Sequence, residues 1–103
     1  MKIPKRFKLF GQTIEVEMQD FLNDKTDCRG QAKYRENKIY LQIIDGKYYS
    51  RPTTNMEQTF CHELVHWILS MMHEKIDEDV KFIEIFSGLL HQALTTMEYE
   101  EGG

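Results

Sequence analysis

The sequence contains little cysteine and no long hydrophobic run. Its two cysteines, Cys28 and Cys61, can form at most one disulfide in 103 residues, so the chain is not a disulfide-dense secreted scaffold. No stretch approaches the ~20 apolar residues of a membrane-spanning helix, and the first residues lack the apolar core of a secretory signal. These absences predict a cytoplasmic protein with no membrane contact and with both cysteines as free thiols.

The chain also lacks the excess of positive charge that proteins bound to nucleic acid carry. It has 13 Lys and Arg residues against 17 Asp and Glu residues, which gives a formal net charge of -4 at pH 7. Affinity for nucleic acid depends largely on cationic side chains that neutralise phosphates, so we expect no nucleic-acid partner. Internal repeats and low-complexity tracts are absent as well. The length therefore predicts a single domain that spans residues 1–103.

The first half of the chain has the patterns of short strands. Residues 6–10 and 13–18 are joined by Gly11 and Gln12, which suits a hairpin with a glycine turn. Ile14, Val16 and Met18 alternate with two glutamates, which indicates a half-buried strand. A second hairpin is predicted from residues 31–35 and 38–44, with its turn at positions 36 and 37.

The second half has helical periodicity. Thr54 followed by Glu57 fits a capping box, and the apolar spacing predicts a helix from about Asn55 to Met72. A second helix is expected after the acidic residues 77–79 and up to about Glu98. Its predicted apolar stripe consists of Phe82, Phe86, Leu89, Leu90, Ala93 and Met97. The predicted fold is α+β: a small antiparallel sheet of three or four strands, followed by an antiparallel hairpin of two helices.

The first predicted helix contains an HExxH motif, His62-Glu63-Leu64-Val65-His66. Four positions along an α-helix turn through about 400°, so the two imidazoles project within about 40° of each other and reach one metal ion. A catalytic zinc site uses three protein ligands and leaves the fourth position for water. Glu63 lies about 100° around the helix from His62, where its carboxylate suits a general base that takes a proton from that water.

The third zinc ligand is predicted to come from the second helix. A third histidine six residues after His66 would stand at position 72, which is Met72. If the two helices pack antiparallel, Glu84 lies level with the gap between the two histidines. Asp77, Asp79 and His91 are the alternative ligands in that part of the chain.

At these residues the chain resembles the gluzincin metallopeptidases, whose HExxH helix is followed by a helix that supplies a glutamate ligand. It looks most like the smallest members, the minigluzincins, and like the ImmA/IrrE-like HExxH proteins of phages and mobile elements. The likeness rests on the motif at 62–66 and on residues 81–86, 89 and 90. The resemblance implies a zincin-like fold and hydrolysis of a peptide or protein substrate, with zinc on His62, His66 and a glutamate.

Two further expectations concern the substrate. The resemblance implies that a peptide lies extended along an edge of the sheet, for which the strand at 38–43 is either the edge strand or an ordinary internal strand. An oxyanion donor is expected in addition to zinc. The possible donors are Tyr40, Tyr48, Tyr49, Arg51 and His91.

The sequence thus predicts a zinc-dependent metallopeptidase in which Glu63 is the general base. The alternative is a non-catalytic module, of regulatory or adaptor type, in which zinc chiefly stabilises a thin core.

Overall fold

The computed structural model describes residues 1–22, 29–45, 49–72 and 79–99, with the side chains of residues 45 and 49 left out. Six strands are followed by two helices, and a short 3₁₀-helix, Tyr34–Glu36, separates the third and fourth strands. The strands are β1 (Arg6–Leu9), β2 (Gln12–Gln19), β3 (Gly30–Lys33), β4 (Lys38–Gln42), β5 (Ile44–Asp45) and β6 (Tyr49–Ser50). The helices are α1 (Thr53–Met71) and α2 (Val80–Thr96).

Four strands form the main sheet, in the order β1-β2-β4-β3. The predicted α+β class, the small sheet and the pair of helices are confirmed. The sheet is mixed rather than wholly antiparallel, because β2 and β4 run parallel while β1–β2 and β3–β4 are antiparallel. The chain reaches this arrangement by placing β3 outside β4, so that β4 lies between β2 and β3. The β5–β6 pair forms a separate two-stranded ribbon that the sequence did not indicate.

Two tight turns set the register of the sheet. Phe10 and Gly11, between β1 and β2, both have positive φ (48° and 75°), as a two-residue type I′ hairpin requires. Glycine adopts this conformation without steric cost, and Phe10 adopts it with its side chain 82% exposed. Asn37, with φ 54°, ends the 3₁₀-helix and leads into β4. Both predicted hairpins are confirmed, but the first turn lies at Phe10 and Gly11, one residue before the predicted Gly11 and Gln12, because Gln12 already belongs to β2.

The core lies between the sheet and α1. Ile14, Ile39 and Leu41 on the strands are fully buried and pack with Phe60 and Trp67 of α1. The Trp67 indole also donates to the backbone carbonyl of Lys38, at 3.2 Å, which fixes α1 at the start of β4. This packing holds the middle of α1 rigidly against the sheet.

The helix termini differ from the prediction at α1 and agree with it at α2. The prediction of a capping box formed by Thr54 and Glu57 is wrong, because α1 begins after Pro52 and has no side-chain cap. Asp79 caps α2: its Oδ1 accepts a hydrogen bond from the backbone N–H of Phe82 at 3.1 Å.

Glu57 is buried between α1 and α2. Its Oε1 lies 3.0 Å from Nε2 of His91 and 3.1 Å from the amino group of Met1, and it accepts a hydrogen bond from Thr95. The hydrogen bond from His91, followed by that from the amino group, lowers the pKa of Glu57 against the opposing effect of burial. Glu57, which the sequence pattern assigned to a helix cap, therefore makes polar contacts between the two helices.

The α2 helix packs on α1 through Ile83, Ser87 and His91, which are its buried residues. The predicted apolar stripe does not face the core: Phe86, Leu89 and Met97 are 48%, 63% and 51% exposed. The stripe prediction fails because the buried side of α2 carries Ile83, the small Ser87 and the paired His91, rather than the most apolar side of the helix. Neither of the two described helices has the length and hydrophobicity needed to cross a membrane.

Candidate metal site

The HExxH residues lie in the middle of α1, and the two histidines converge as helical geometry requires. Nε2 of His62 and Nε2 of His66 are 3.2 Å apart, with ring centroids at 4.9 Å. Two nitrogens that each lie roughly 2.0–2.1 Å from one tetrahedral zinc ion are about 3.3 Å apart. The spacing of the imidazoles thus fits a shared zinc ion without a change of rotamer.

Glu63 completes this cluster. One donor atom from each of His62, Glu63 and His66 lies within 4.8 Å of the other two, and no other described His, Cys, Asp or Glu joins the group. Glu63 is 7% exposed although it carries a carboxylate, whereas both histidines are partly exposed. The motif therefore presents two imidazoles to a cleft and holds a carboxylate at the cleft wall.

Gly30, the first residue of β3, is what allows the sheet to approach Glu63. A Cβ atom at this position would meet Cγ2 of Thr59 at 2.5 Å and Cγ of Glu63 at 3.1 Å. Only glycine fits between this strand and α1 without displacing one of them. Gly30 therefore fixes how far the wall formed by β3 stands from the candidate general base.

The electrostatic environment favours neutral imidazole at His62. Desolvation lowers the pKa of His62 most, the nearby His66 lowers it further, and the negative charge of Glu84 raises it. A neutral imidazole keeps the lone pair that a metal ion requires.

Glu84 lies on α2 across the cleft from the histidines. It lines the same cleft as His62 and His66, together with Ser87 and Gly88 of the next helical turn. Its exposed carboxylate stands outside the close group of three donors. The structure thus places Glu84 on the predicted side of α2, facing the cleft rather than within the cluster.

The alternative third ligands are placed elsewhere or not described. Asp79 caps α2 and does not line the cleft, and His91 is buried beside Glu57. Asp77 lies outside the described residues, as does the predicted turn at 73–76. Of the three predicted third ligands that the structure describes, Glu84 is the one that lies at the cleft.

Arg51 joins three elements at the end of the cleft nearest the start of α1. Its guanidinium donates to the backbone carbonyls of Arg29, Gln42 and Asn55, and to the hydroxyl of Thr59. The residue is 6% exposed, so these bonds form in a poorly hydrated environment. Arg51 thereby ties the ends of β3 and β4 to the first turns of α1.

The cleft is open, with a volume of about 760 Å³. A second, smaller groove of about 320 Å³ runs from Glu63 and His66 along β3 and onto Tyr34. β3 is the terminal strand of the sheet on this side, and no described strand pairs with its outer edge. Of the two alternatives for the strand at 38–43, the internal strand is confirmed and the edge strand is wrong, because β4 is bonded on both sides and β3 lies at the edge instead.

The predicted oxyanion donors are mostly committed to other contacts. Tyr40 donates to Glu36 at 2.9 Å, and this hydrogen bond is the main cause of its raised pKa. The guanidinium of Arg51 donates to backbone carbonyls and to the hydroxyl of Thr59, and His91 lies beside Glu57. Tyr48 and the side chain of Tyr49 lie outside the described residues.

Gly30 and Arg51 are site residues that sequence reasoning missed in these roles. The sequence analysis gave Gly30 no role and proposed Arg51 only as a possible oxyanion donor. Their contacts join positions that are distant along the chain, such as Arg51 with Arg29 and Gly30 with Glu63. The one local signal was a glycine at the start of a strand, which is typical of a close backbone approach.

Comparison of the chain with protein families, with curated proteins and with solved structures returns no match. The functional argument therefore depends on the geometry of this site, and the resemblance to the gluzincins stays a prediction.

Proposed function

We propose that the protein is a zinc-dependent metallopeptidase that hydrolyses peptide bonds. The observation that carries the proposal is the 3.2 Å separation of the His62 and His66 nitrogens, with a buried glutamate beside them at the wall of an open cleft. These three features together are what a catalytic zinc site requires: two ligands at the right spacing, a proton acceptor beside them, and access for a substrate. His62 and His66 are the zinc ligands in this proposal, and Glu84 is the third.

Zinc, when bound, supplies Lewis-acid chemistry: it polarises the scissile carbonyl and makes a water molecule acidic enough to attack near pH 7. Glu63 takes the proton from that water as its oxygen bonds to the carbonyl carbon. The carbon–nitrogen bond then breaks, and the same carboxyl passes the proton to the departing amine.

The groove along β3 supports an extended peptide as the substrate. A strand edge with unpaired backbone groups binds extended chains by β-augmentation, and this groove leads directly to Glu63 and His66. Because the cleft is open, it admits a flexible segment of a protein as well as a short peptide. We place the activity in the cytoplasm, since a reducing compartment keeps thiols such as the buried Cys61 free.

The test combines metal analysis with proteolysis of an unstructured protein. Wild-type protein should contain about one zinc per chain. Glu63→Gln should keep the zinc and lower kcat/KM at least ~100-fold, because it removes only the proton acceptor. His62→Ala should lose both zinc and activity, and Glu84→Gln should weaken zinc binding.

Glu15→Gln is the matched control, since Glu15 is an exposed glutamate of β2 far from the cleft along the sheet. It should leave both zinc content and cleavage unchanged. Full cleavage by Glu63→Gln would contradict the catalytic role. Zinc bound by a wild-type protein that cleaves nothing would favour the stabilising, non-catalytic alternative.

A further inference from the structure

The contact of α2 with α1 has an apolar part and a directed polar part. The buried residues of α2 are Ile83, Ser87 and His91, which follow one another at steps of four and so lie on one side of the helix. Ile83 has no polar side-chain atom, and the hydroxyl of Ser87 donates to the carbonyl of Glu84 in its own helix at 3.3 Å. His91 instead bonds across to α1, so this residue gives the buried side of α2 a hydrogen bond with a defined partner.

The bond from His91 to Glu57 is short and buried. Nε2 of His91 lies 3.0 Å from Oε1 of Glu57, and the two residues are 5% and 7% exposed. The pKa of Glu57 is lowered, so its carboxylate is ionised near pH 7 and only accepts; Nε2 of His91 therefore carries the proton. The hydroxyl of Thr95, one turn further along α2, donates to the same oxygen at 3.3 Å. Such bonds are costly to break away from water, so they favour one relative position of the two helices.

The contacts between the two helices occur in reversed order, which shows that the helices run antiparallel. Glu57 lies near the start of α1, and its partner His91 lies in the second half of α2. Glu84 lies in the first half of α2 and lines the cleft with His62 and His66, which lie further along α1. An antiparallel pair has one register, and a single directed contact is enough to define it.

The register that His91 defines brings Glu84 level with the metal site. Seven residues from Glu57 towards the end of α1 lead to Leu64, and seven residues from His91 towards the start of α2 lead to Glu84. The rise per residue is the same in both helices, so Glu84 lies level with Leu64, in the turn between the two histidines of the motif.

His91 and Glu84 also lie on the same side of α2. Seven residues turn through about 700°, which is about 20° short of two full turns, and they span about 10.5 Å of the helix axis. Because α2 is a continuous helix, a shift that breaks the bond of His91 also displaces Glu84 relative to α1. Zinc holds carboxylate oxygens at roughly 2.0–2.2 Å, so a displacement of about 1 Å is enough to weaken the bond to the metal.

We propose that the hydrogen bond between His91 and Glu57 positions Glu84 as the third zinc ligand. His91 is a positioning residue in this account, since it does not line the cleft and acts through the placement of α2. The inference rests on the proposed function, of which Glu84 as a ligand is one part. It adds that a buried contact two helical turns from the site determines the affinity for the metal.

The zinc affinity of the folded protein, measured by competition with a chromophoric chelator, tests the proposal in a double-mutant cycle. His91→Leu removes the donor, while Glu57 keeps the amino group of Met1 and the hydroxyl of Thr95 as partners. We expect His91→Leu to raise the zinc Kd about 10-fold, as the loss of a group that orients a metal ligand does. In a Glu84→Ala background the same change should leave the Kd unaltered, because the ligand that His91 positions is already absent.

Three further variants separate positioning from stability. His91→Gln keeps an N–H donor at about the position of Nε2, whereas the shorter amide of His91→Asn does not reach Glu57. His91→Gln should therefore bind zinc almost as tightly as wild type, and His91→Asn as weakly as His91→Leu. Gln92→Leu is the matched control, because it makes an apolar substitution at the next residue of α2, which is exposed. It should leave the zinc Kd unchanged.

Urea unfolding of the zinc-free variants measures stability separately. Wild-type zinc affinity in a destabilised His91→Leu variant would limit the bond to helix packing and overturn the proposal. An equal loss of affinity with and without Glu84 would also overturn it, since His91 would then act by another route. If circular dichroism shows that His91→Leu loses its helices, the same conclusions are drawn from the difference between His91→Gln and His91→Asn.

The proposed function can fail separately from this inference. If zinc binds and the cycle shows the expected coupling but no peptide is cleaved, the positioning role stands and the peptidase activity does not. If cleavage depends on Glu63 while His91→Leu leaves the zinc Kd unchanged, the activity stands and the positioning role is wrong. A wild-type protein that binds no zinc would contradict both.

Discussion

Single side chains determine how closely β3 approaches the candidate catalytic glutamate. At Gly30 a methyl group would lie 2.5 Å from Cγ2 of Thr59, so one of the two elements has to move. We expect Gly30→Ala to lower the free energy of unfolding by about 1–3 kcal/mol, as overpacked cores do. It should also lower kcat/KM, because the displaced strand no longer holds Glu63. Urea unfolding and peptide cleavage measure the two effects.

Gly88 supplies the control for this prediction. A Cβ atom there meets nothing within 4 Å, and Gly88 lies inside α2. Gly88→Ala should therefore raise the free energy of unfolding by about 0.5–1 kcal/mol through helix propensity. If both alanine variants shifted stability in the same direction, the steric explanation of Gly30 would be wrong.

The residues that sequence predicted well are those whose geometry is local. His62 and His66 stand one turn apart on any regular α-helix, so the motif alone predicts that their imidazoles converge. Gly30 meets Thr59 and Glu63, which are 29 and 33 positions away, and Arg51 reaches Arg29, which is 22 positions away. These contacts escaped prediction because they form only after the start of β3 packs on α1. Patterns of neighbouring residues give no information about contacts between residues so far apart along the chain.

At the scale of elements, the helices were predictable and their faces were not. Periodicity located α1 and α2 to within about two residues at most termini, since apolar spacing reports the helix itself. It assigned the wrong side of α2 to the core, because the polar pair of Glu57 and His91 occupies the contact with α1. Local sequence likewise does not indicate the parallel pairing of β2 with β4, because that pairing depends on the path of the chain between the two strands.

The contact between α1 and α2 predicts a specific pH dependence. The pKa of Glu57 is lowered in the folded protein, so its stabilising contribution is complete above the ordinary glutamate pKa, about 4.3. That contribution is lost as the pH falls from there through the lowered pKa, where the carboxylate becomes protonated. Glu57→Gln should therefore reduce stability at pH 7 by about 1–3 kcal/mol and flatten the acid decline.

Chemical unfolding measured from pH 7 down to about pH 3 tests this prediction. Glu15→Gln makes the same chemical change on the exposed side of β2, and we expect it to follow the wild-type curve. An acid decline equally steep in Glu57→Gln and wild type would show that other groups govern stability between the helices.

At the scale of the whole molecule, a bound ion would matter because the core is small. Of the eight buried hydrophobic residues among those described, seven lie on the sheet or on α1, and one, Ile83, lies on α2. The α2 helix packs mainly on α1 and adds Ile83 and the partly buried Leu94 to the apolar core. An ion held by His62 and His66 of α1 and by Glu84 of α2 would link the two helices directly. Zinc would then stabilise the least anchored helix as well as the site.

This arrangement predicts that zinc raises the melting temperature of the wild-type protein. At a free zinc concentration about 100 times the Kd, the folded state gains about 2.7 kcal/mol, or roughly 10–20 °C for a chain of this size. Thermal unfolding with zinc and with EDTA measures the shift. Glu63→Gln should keep it, His62→Ala should abolish it, and Glu84→Gln should reduce it. A full shift in Glu84→Gln would remove α2 from the metal site, and an equal shift in His62→Ala would show that zinc binds somewhere else.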